Sequence, residues 1–388
     1  MQGVTGPNPV VSTKMRVCLR QTRFFYPIRR ERPLSILVFS ISRFSALCKR
    51  NSHFEVPILK SYQKTLLGSV LCVLAAMIWG FAFSAQRAAG DGGMPPLTLT
   101  SLRSFVATAA LFFALMLLSF RRGAARPILS RREGRLFLDV SRGEWIGGAL
   151  CGVALALASA LQQVGLSLNE SAGKTAFLTA MYVTLVPVFG LFVGRKTRPL
   201  VFLATLFALL GAFLLAGDFS NGFSLGLGDL FVLLCAVVYA VHILVIDRFS
   251  PGCDGVRLSL VQFLVAGVLT LPALLFEDIS AITGDAVLAL LYLGIMSSGV
   301  GYTLQILAQK QVHPAIASAI LSLESVFGVL GGALVFSEAL SLREGIGCAI
   351  LFLAVMLAEL GGLLGGESKN KKAASELSAA FPRERNEL

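Results

Sequence analysis

Charged residues are scarce in this chain. Of its 388 residues, 14% are Asp, Glu, Lys or Arg, whereas a soluble globular chain has about 25%. Hydrophobic residues make up 55% of the sequence, and their long runs lack the polar face of a surface helix. The composition therefore argues against a soluble globular protein and indicates a polytopic membrane protein of the all-α class.

Catalytic and metal-binding motifs are also missing. The sequence has no HExxH, P-loop or GxSxG motif, and its seven cysteines include no CxxC pair. The three histidines are dispersed along the chain. The lack of a Walker motif argues against an ATP-driven pump, and we expect a protein that is not an enzyme, with no catalytic residues, cofactor or metal site.

What the sequence does contain is a series of apolar segments that can form helices long enough to cross a bilayer core of about 30 Å. The predicted segments are 66–86, 95–120, 145–164, 172–193, 200–216, 230–246, 256–276, 286–307, 314–336 and 345–364. The sequence thus predicts ten transmembrane helices.

Loop charges predict the orientation. The four loops on the side of the N-terminus hold thirteen Lys and Arg residues, and the five loops on the opposite side hold three. Since positive loops stay in the cytoplasm, both termini are predicted to be cytoplasmic. We expect an integral protein of the plasma (inner) membrane.

The two ends of the chain differ in composition from the segments between them. Residues 1–64 hold twelve Lys and Arg against two acids, which suits a targeting leader, a cytoplasmic tail attracted to anionic lipid, or sequence upstream of the true start. We favour a disordered extension or a start-site artefact. Residues 365–388 are predicted to be a cytoplasmic polar tail.

The apolar region repeats itself. Val188-Phe189-Gly190 in the fourth segment matches Val326-Phe327-Gly328 in the ninth, and Trp79 in the first segment parallels Tyr239 in the sixth. The predicted repeats are residues 66–217 and 228–362. Five spans per repeat is an odd number, so the repeats must be inverted, as in transporters that expose one midplane site to either side in turn.

Four stretches carry a resemblance to a known family. They are WGFAFSAQRAA (79–89), Arg103 in the second span, ESAGKTAFLTAMYVTLVPVFG (170–190) and SLESVFGVLGGALVFSEAL (322–340). Together they resemble the two tandem EamA domains of the drug/metabolite transporter superfamily. The resemblance implies a ten-helix secondary carrier for small metabolites, often an exporter, with a site lined by spans one, three, four, six, eight and nine. Family members often have Glu-Pro where this chain has Glu324-Ser325, so the helix kink expected there is in doubt.

Two charges inside the spans are candidates for substrate binding. Glu324 lies near the middle of the ninth segment, where a bare charge costs at least ~2.5–3.5 kcal/mol. It could bind a cationic group or exchange a proton; alternatively it is structural, paired with Arg103 or capped by hydroxyl groups. Arg103 could hold a substrate carboxylate through two hydrogen bonds or form a permanent internal ion pair.

Aromatic and amide side chains in the middle of spans complete the predicted site, with helix packing as the alternative for each. The candidate substrate-binding residues are Trp79, Arg103, Gln163, Tyr182, Tyr239, His242, Tyr302, Gln305 and Glu324. Residues 297–301, just before Tyr302, form a weak helical segment that either unwinds to face a cavity or packs as a plain helix. Pro187 is predicted to kink the fourth span.

The leading functional hypothesis is a secondary transporter, an exporter or exchanger of a small metabolite or drug that works by alternating access. The expected partners are a small-molecule substrate, protons as a candidate coupling ion and the lipid bilayer, with no nucleic acid. The alternatives are a passive channel or scaffold, and an intramembrane lipid-linked transferase. Such a transferase would need a cluster of acids or histidines at one membrane face, and the sequence shows none.

Overall fold

The computed structural model describes residues 57–122, 128–132, 135–168, 172–216, 226–336 and 341–380. The predicted extension 1–64 lies almost entirely outside the described residues, as does the last part of the predicted tail. The α-helices are α1 Pro57–Asp91, α2 Pro96–Arg122, α3 Arg142–Leu168, α4 Ala172–Ala180, α5 Tyr182–Phe192, α6 Pro199–Ala216, α7 Leu227–Phe249, α8 Gly255–Thr270, α9 Gly284–Tyr292, α10 Tyr302–Gln309, α11 Pro314–Leu321, α12 Glu324–Phe336 and α13 Leu342–Ala380.

The all-α prediction is confirmed, with one small addition. Between α2 and α3 the chain forms an antiparallel hairpin of two short strands, β1 Leu129–Arg132 and β2 Arg135–Leu138. Leu129 pairs with Leu138, and Arg132 pairs with Arg135 next to the turn. This hairpin lies in the arginine-rich loop, outside the apolar segments.

The prediction of ten membrane-crossing segments is also confirmed. Within the described ranges, nine helical segments are long and apolar enough to cross a membrane, and a shorter apolar helix, Pro199–Leu214, occupies the place of the fifth. Large apolar side chains on outward faces are exposed, among them Phe113, Leu117, Leu206 and Phe352. Exposed apolar surface on this scale suits helices that face lipid.

Local sequence signals account for several helix starts. Ser141 and Glu144 form a capping box at the start of α3, in which the Ser141 amide donates to Glu144 Oε2 and the Glu144 amide donates to Ser141 Oγ. Ser341 and Glu344 repeat this arrangement at the start of α13. Asp254 accepts hydrogen bonds from the amides of Val256 and Arg257 and so begins α8.

The fourth and ninth spans are both interrupted. The fourth is divided at Met181 into α4 and α5, and the ninth is divided at Ser322-Leu323 into α11 and α12. Ser318 and Ser322 donate hydrogen bonds to the carbonyls three residues before them, which competes with the regular helical pattern. A break therefore exists beside Glu324 although the next residue is Ser325 and not a proline. Pro187 lies inside α5, and a kink at that residue stays a prediction.

The weak segment in the eighth span forms a π-helix. Residues Leu293–Gly301 are π-helical between α9 and α10, so the chain is wound more loosely there without leaving the helical conformation. Gly301 lies directly against the Trp79 side chain, and a Cβ atom at Gly301 would lie 2.7 Å from Trp79 Nε1. The loose winding and the missing side chain together let α1 contact the eighth span closely.

Spans at equivalent positions in the two predicted repeats pack against each other. The second span (α2) contacts the seventh (α8), and the fifth (α6) contacts the tenth (α13). Parts of the fourth and ninth spans are also in contact, α5 with α11 and α4 with α12. All eight residues of α11 are buried, which places the interrupted ninth span in the interior.

Candidate functional site

A cavity in the interior brings together side chains from seven spans. Its empty volume is about 510 Å³, including the part that opens to solvent. The spans that line it are the first, second, third, fourth, sixth, eighth and ninth. Its polar and aromatic lining residues are Trp79, Phe83, Gln86, Arg103, Gln162, Thr179, Tyr182, Tyr239, His242, Ser297, Tyr302, Gln305 and Glu324. Eight of the nine predicted site residues are in this set, and Gln163 is not.

One side of the cavity is aromatic. The rings of Trp79 and Tyr302 are 4.6 Å apart between centroids and tilted by 53°, and His242 meets Tyr302 edge-on at 5.8 Å. Trp79 Nε1 donates to the backbone carbonyl of Ser297 at 3.1 Å, so the π-helix supplies the acceptor that the indole needs. These rings together form an aromatic wall built from α1, α7 and the eighth span.

A chain of weak hydrogen bonds continues from the aromatic side to α3 and α4. The Tyr302 hydroxyl donates to the Tyr239 hydroxyl at 3.3 Å, and the Tyr239 hydroxyl donates to Gln162 Oε1 at 3.4 Å. Gln162 Nε2 donates in turn to Thr179 Oγ1 at 3.3 Å. Distances this long are those of weak hydrogen bonds.

Glu324 is the first residue of α12, immediately after the break in the ninth span, and it is 5% exposed. Glu324 Oε1 accepts a hydrogen bond from the Tyr182 hydroxyl at 3.1 Å. Tyr182 stands at the corresponding break of the fourth span, at the start of α5. The two interruptions thus place an acid and its hydroxyl partner on opposite predicted repeats, both facing the cavity.

Arg103 lies in α2 and is 6% exposed. Within the described part of the chain it has no hydrogen-bond or ion-pair partner, and the ion pairs found there join other residues. The permanent ion pair with Glu324 is therefore not formed in this structure. Arg103 lines the same cavity as Glu324.

His242 is fully buried in α7, and its Nε2 lies 3.3 Å from Gln262 Oε1 of α8. Its Nδ1 has no partner among the residues described here, and neither has Gln262 Nε2. The ring therefore has one nitrogen held by the neighbouring helix and one without a protein partner. This arrangement suits a neutral imidazole that contributes to the cavity wall.

Reasoning from sequence missed three features of the interior. Gln86 lines the cavity, and a signal for it existed, because Trp79, Ala82, Phe83 and Gln86 follow the spacing of one helix face. Gln163 lines a second cavity instead, while its neighbour Gln162 lines the first. A further intramembrane acid, Glu359 of α13, accepts a hydrogen bond from Ser69 Oγ at 2.5 Å and lies outside the cavity.

Comparisons with known proteins agree with this architecture. The model of the EamA-like transporter family matches residues 66–217 and 226–360. An "Uncharacterized transporter" of Archaeoglobus fulgidus is 28% identical over 299 residues, which cover 76% of this chain and 87% of the relative. The "Uncharacterized inner membrane transporter YedA" of Escherichia coli is 24% identical over 294 residues, which cover 74% of this chain and 89% of that protein. A solved structure titled "Crystal structure of protein" has a TM-score of 0.62 and 21% identity, and the match covers 76% of this chain and 96% of that one.

Proposed function

Because the chain belongs to the EamA-like transporter family, we propose that it is a secondary transporter that moves a small metabolite or drug by alternating access around the central cavity. The coarse function, a membrane transporter, follows from the family. The mechanism, the direction of export or exchange and the role of each residue are our proposal. It treats residues 66–217 and 228–362 as two inverted repeats that move relative to each other.

The observation that carries the proposal is that two buried charges of opposite sign line one cavity without pairing with each other. Glu324 is held by the Tyr182 hydroxyl, and Arg103 has no partner among the described residues. A transporter that only packed its helices would gain by joining these charges or by replacing them with apolar residues. We infer that Arg103 binds an anionic group of the substrate and that Glu324 binds a cationic group or a proton.

The remaining predicted residues act in this proposal as the shape and hydrogen-bonding surface of the site. Trp79 and Tyr302 provide an aromatic wall of two tilted rings. Tyr239, Tyr182 and Gln305 add polar groups from three different spans. His242 completes the aromatic side through its edge-on contact with Tyr302. A substrate with an aromatic or planar part and at least one charged group would satisfy these surfaces together.

Contacts between the repeats at the two ends of the bundle suit alternating access. At the end near the N-terminus of α1, Arg195 Nη2 lies 2.5 Å from Asp247 Oδ2, and Arg257 Nη1 lies 3.2 Å from Asp139 Oδ2. At the opposite end, Glu277 accepts hydrogen bonds from the first amides of α2. The Arg195 side chain is 44% exposed, so its pair can break and reform at low cost. The Arg257 side chain is 5% exposed, so breaking its pair costs more.

The proposed location is the plasma (inner) membrane, with both termini in the cytoplasm. The excess of Lys and Arg in the loops on the side of the N-terminus supports this orientation. The Arg195–Asp247 and Arg257–Asp139 ion pairs would then lie on the cytoplasmic side, and the α2 end capped by Glu277 would face outward.

The experiment that tests the proposal measures flux of labelled compounds into proteoliposomes that contain the full chain. The panel comprises amino acids, amines, nucleosides and lipophilic cations. A carrier gives saturable uptake. This uptake is faster when the same unlabelled compound is inside the vesicle, because that compound is carried out in the step that reorients the carrier for the next uptake. Flux that rises linearly with concentration and shows no such acceleration would indicate a channel, and a chemically altered product would indicate an enzyme. Either of these results would overturn the proposal.

A further inference from the structure

A second, larger cavity lies at the end of the bundle where α1 ends and α2 begins. We call it the vestibule; its empty volume is about 1070 Å³, including the part open to solvent. The vestibule is lined by the end of α1, the 91–96 connection and the last turns of α3, namely Gln86, Arg87, Gly90, Asp91, Gly93, Met94, Pro95, Pro96, Gln163, Leu166 and Ser167. Arg87 and Asp91 lie 3.9 Å apart there, and their side chains are 43% and 70% exposed, so this end is open to solvent.

Gln86 is the residue that the vestibule and the central cavity share. It lines both, yet it is only 4% exposed. The side chain therefore lies between the two cavities.

The amide of Gln86 is half satisfied. Its Nε2 donates to the Ala82 carbonyl at 3.3 Å, and this contact assigns the amide nitrogen to that end of the side chain. Its Oε1 is enclosed and has no hydrogen-bond partner among the described residues. The same is true of Gln163 Oε1 in the vestibule wall and of Gln305 Oε1 in the central cavity. Unpaired amide acceptors thus belong to a residue of the vestibule wall, a residue of the central cavity wall and the one residue that both cavities share.

We propose that Gln86 is the polar constriction through which the substrate passes between the vestibule and the central cavity, and that Gln86 Oε1 there accepts a hydrogen bond from an N–H or O–H donor of the substrate. This inference rests on the proposed transport function. An enclosed acceptor without a donor destabilises the closed passage, and an arriving donor removes that penalty. The route selects compounds that carry such donors, for example ammonium or hydroxyl groups.

Passage through the constriction can be tested without knowing the substrate. The reporter is Ser297→Cys in the full chain, because Ser297 lines the central cavity and not the vestibule. A charged, membrane-impermeant methanethiosulfonate is added from the side of the 91–96 connection, and labelling of the chain without the reporter is subtracted. Gln86→Ala should raise the labelling rate at the reporter about tenfold, because it shortens the side chain that closes the passage. Gln86→Leu keeps the bulk and should not raise it.

The matched control is Gln309→Ala. Gln309 is likewise buried, at 3% exposed, its Nε2 donates to the Ile243 carbonyl at 3.1 Å, and its Oε1 has no partner in the described structure. It lines neither cavity. Labelling in this variant should match that of the reporter chain within twofold. If Gln86→Ala also stayed within twofold, while gel filtration showed both variants folded, the constriction would lie elsewhere and the proposal would be overturned.

The hydrogen bond from the substrate is tested in proteoliposomes with a compound from the amine and amino-acid panel that the unmodified chain carries. Gln86→Leu should raise its KM about tenfold, and Gln309→Leu should not. The difference should disappear for the trimethylammonium analogue of the compound, because its quaternary nitrogen has no N–H donor. An unchanged KM in Gln86→Leu would overturn the substrate contact. If the unmodified chain carries none of the panel, the transport proposal fails, whereas the labelling experiment still decides whether Gln86 closes the passage.

Discussion

The close contact between α1 and α12 makes Gly80→Ala an informative substitution. A Cβ atom at Gly80 would lie 2.3 Å from Phe327 Cβ and 2.7 Å from the carbonyl oxygen of Glu324. Since carbon atoms pack at about 3.5–4.0 Å, the helices would have to separate by roughly 1 Å at the position of the cavity acid. Overpacking of this kind costs about 1–3 kcal/mol, and we expect a lower apparent melting temperature in detergent and weaker transport.

Gly90→Ala is the matched control in the same helix. Nothing lies within 4 Å of a Cβ atom built on Gly90, and replacing a helical glycine by alanine stabilises a helix by about 0.5–1 kcal/mol. Melting followed by fluorescence-detected gel filtration should therefore place Gly80→Ala below the unmodified chain and Gly90→Ala at or slightly above it. If Gly80→Ala were as stable and as active as Gly90→Ala, the inferred contact between α1 and α12 would be wrong.

Three further substitutions test the site and its ends. Arg103→Lys keeps the charge but loses the planar guanidinium, so it should raise the KM for a carboxylate substrate about tenfold. Arg103→Gln should abolish uptake of the same substrate. Equal uptake by the unmodified chain and both variants would show that Arg103 is not part of the site. Tyr182→Phe removes the hydrogen bond to Glu324 and should lower kcat/KM about tenfold, since hydrogen bonds to charged groups contribute ~1.5–3 kcal/mol; unchanged kinetics would make Tyr182 a packing residue only. Asp247→Asn removes the ion pair with Arg195, whose side chain is 44% exposed, and such a pair contributes up to about 1 kcal/mol. The labelling rate of Ser297→Cys by a reagent added from the side of the N-terminus should therefore rise by up to about fivefold. A lower labelling rate would contradict a closing role for this ion pair.

The general architecture was predictable because membranes impose strong rules on sequence. Long apolar runs identify the spans because the bilayer core is apolar and about 30 Å thick. Each span is helical because a helix satisfies its own backbone hydrogen bonds. Polar groups inside these spans are costly away from a cavity or partner. For that reason Trp79, Arg103 and Glu324 could be selected from the sequence, and the structure places them around one cavity. Their roles in transport remain predictions.

Details that depend on neighbouring helices were not predictable. Gln162 and Gln163 differ by one position, and only the packed bundle decides that the first lines the central cavity and the second the vestibule. The break before Glu324 arises from serine side chains that bond to the backbone, a weaker signal than proline. Glu359 escaped notice because its cost is offset by a contact with Ser69, which is 290 residues away in the chain.

The central claim is that Glu324 is the acid of the cavity that binds a cationic group of the substrate or a proton during transport. The most direct test compares substrate-dependent proton release from proteoliposomes for the unmodified chain, Glu324→Gln and Glu359→Gln, across a range of pH. Glu359 is the matched control, because it is an acid within a span that has its own hydroxyl partner and lies outside the cavity. Proton release should persist in Glu359→Gln and be lost in Glu324→Gln. An unchanged transport rate and pH dependence in Glu324→Gln would contradict the account and leave Glu324 with a structural role.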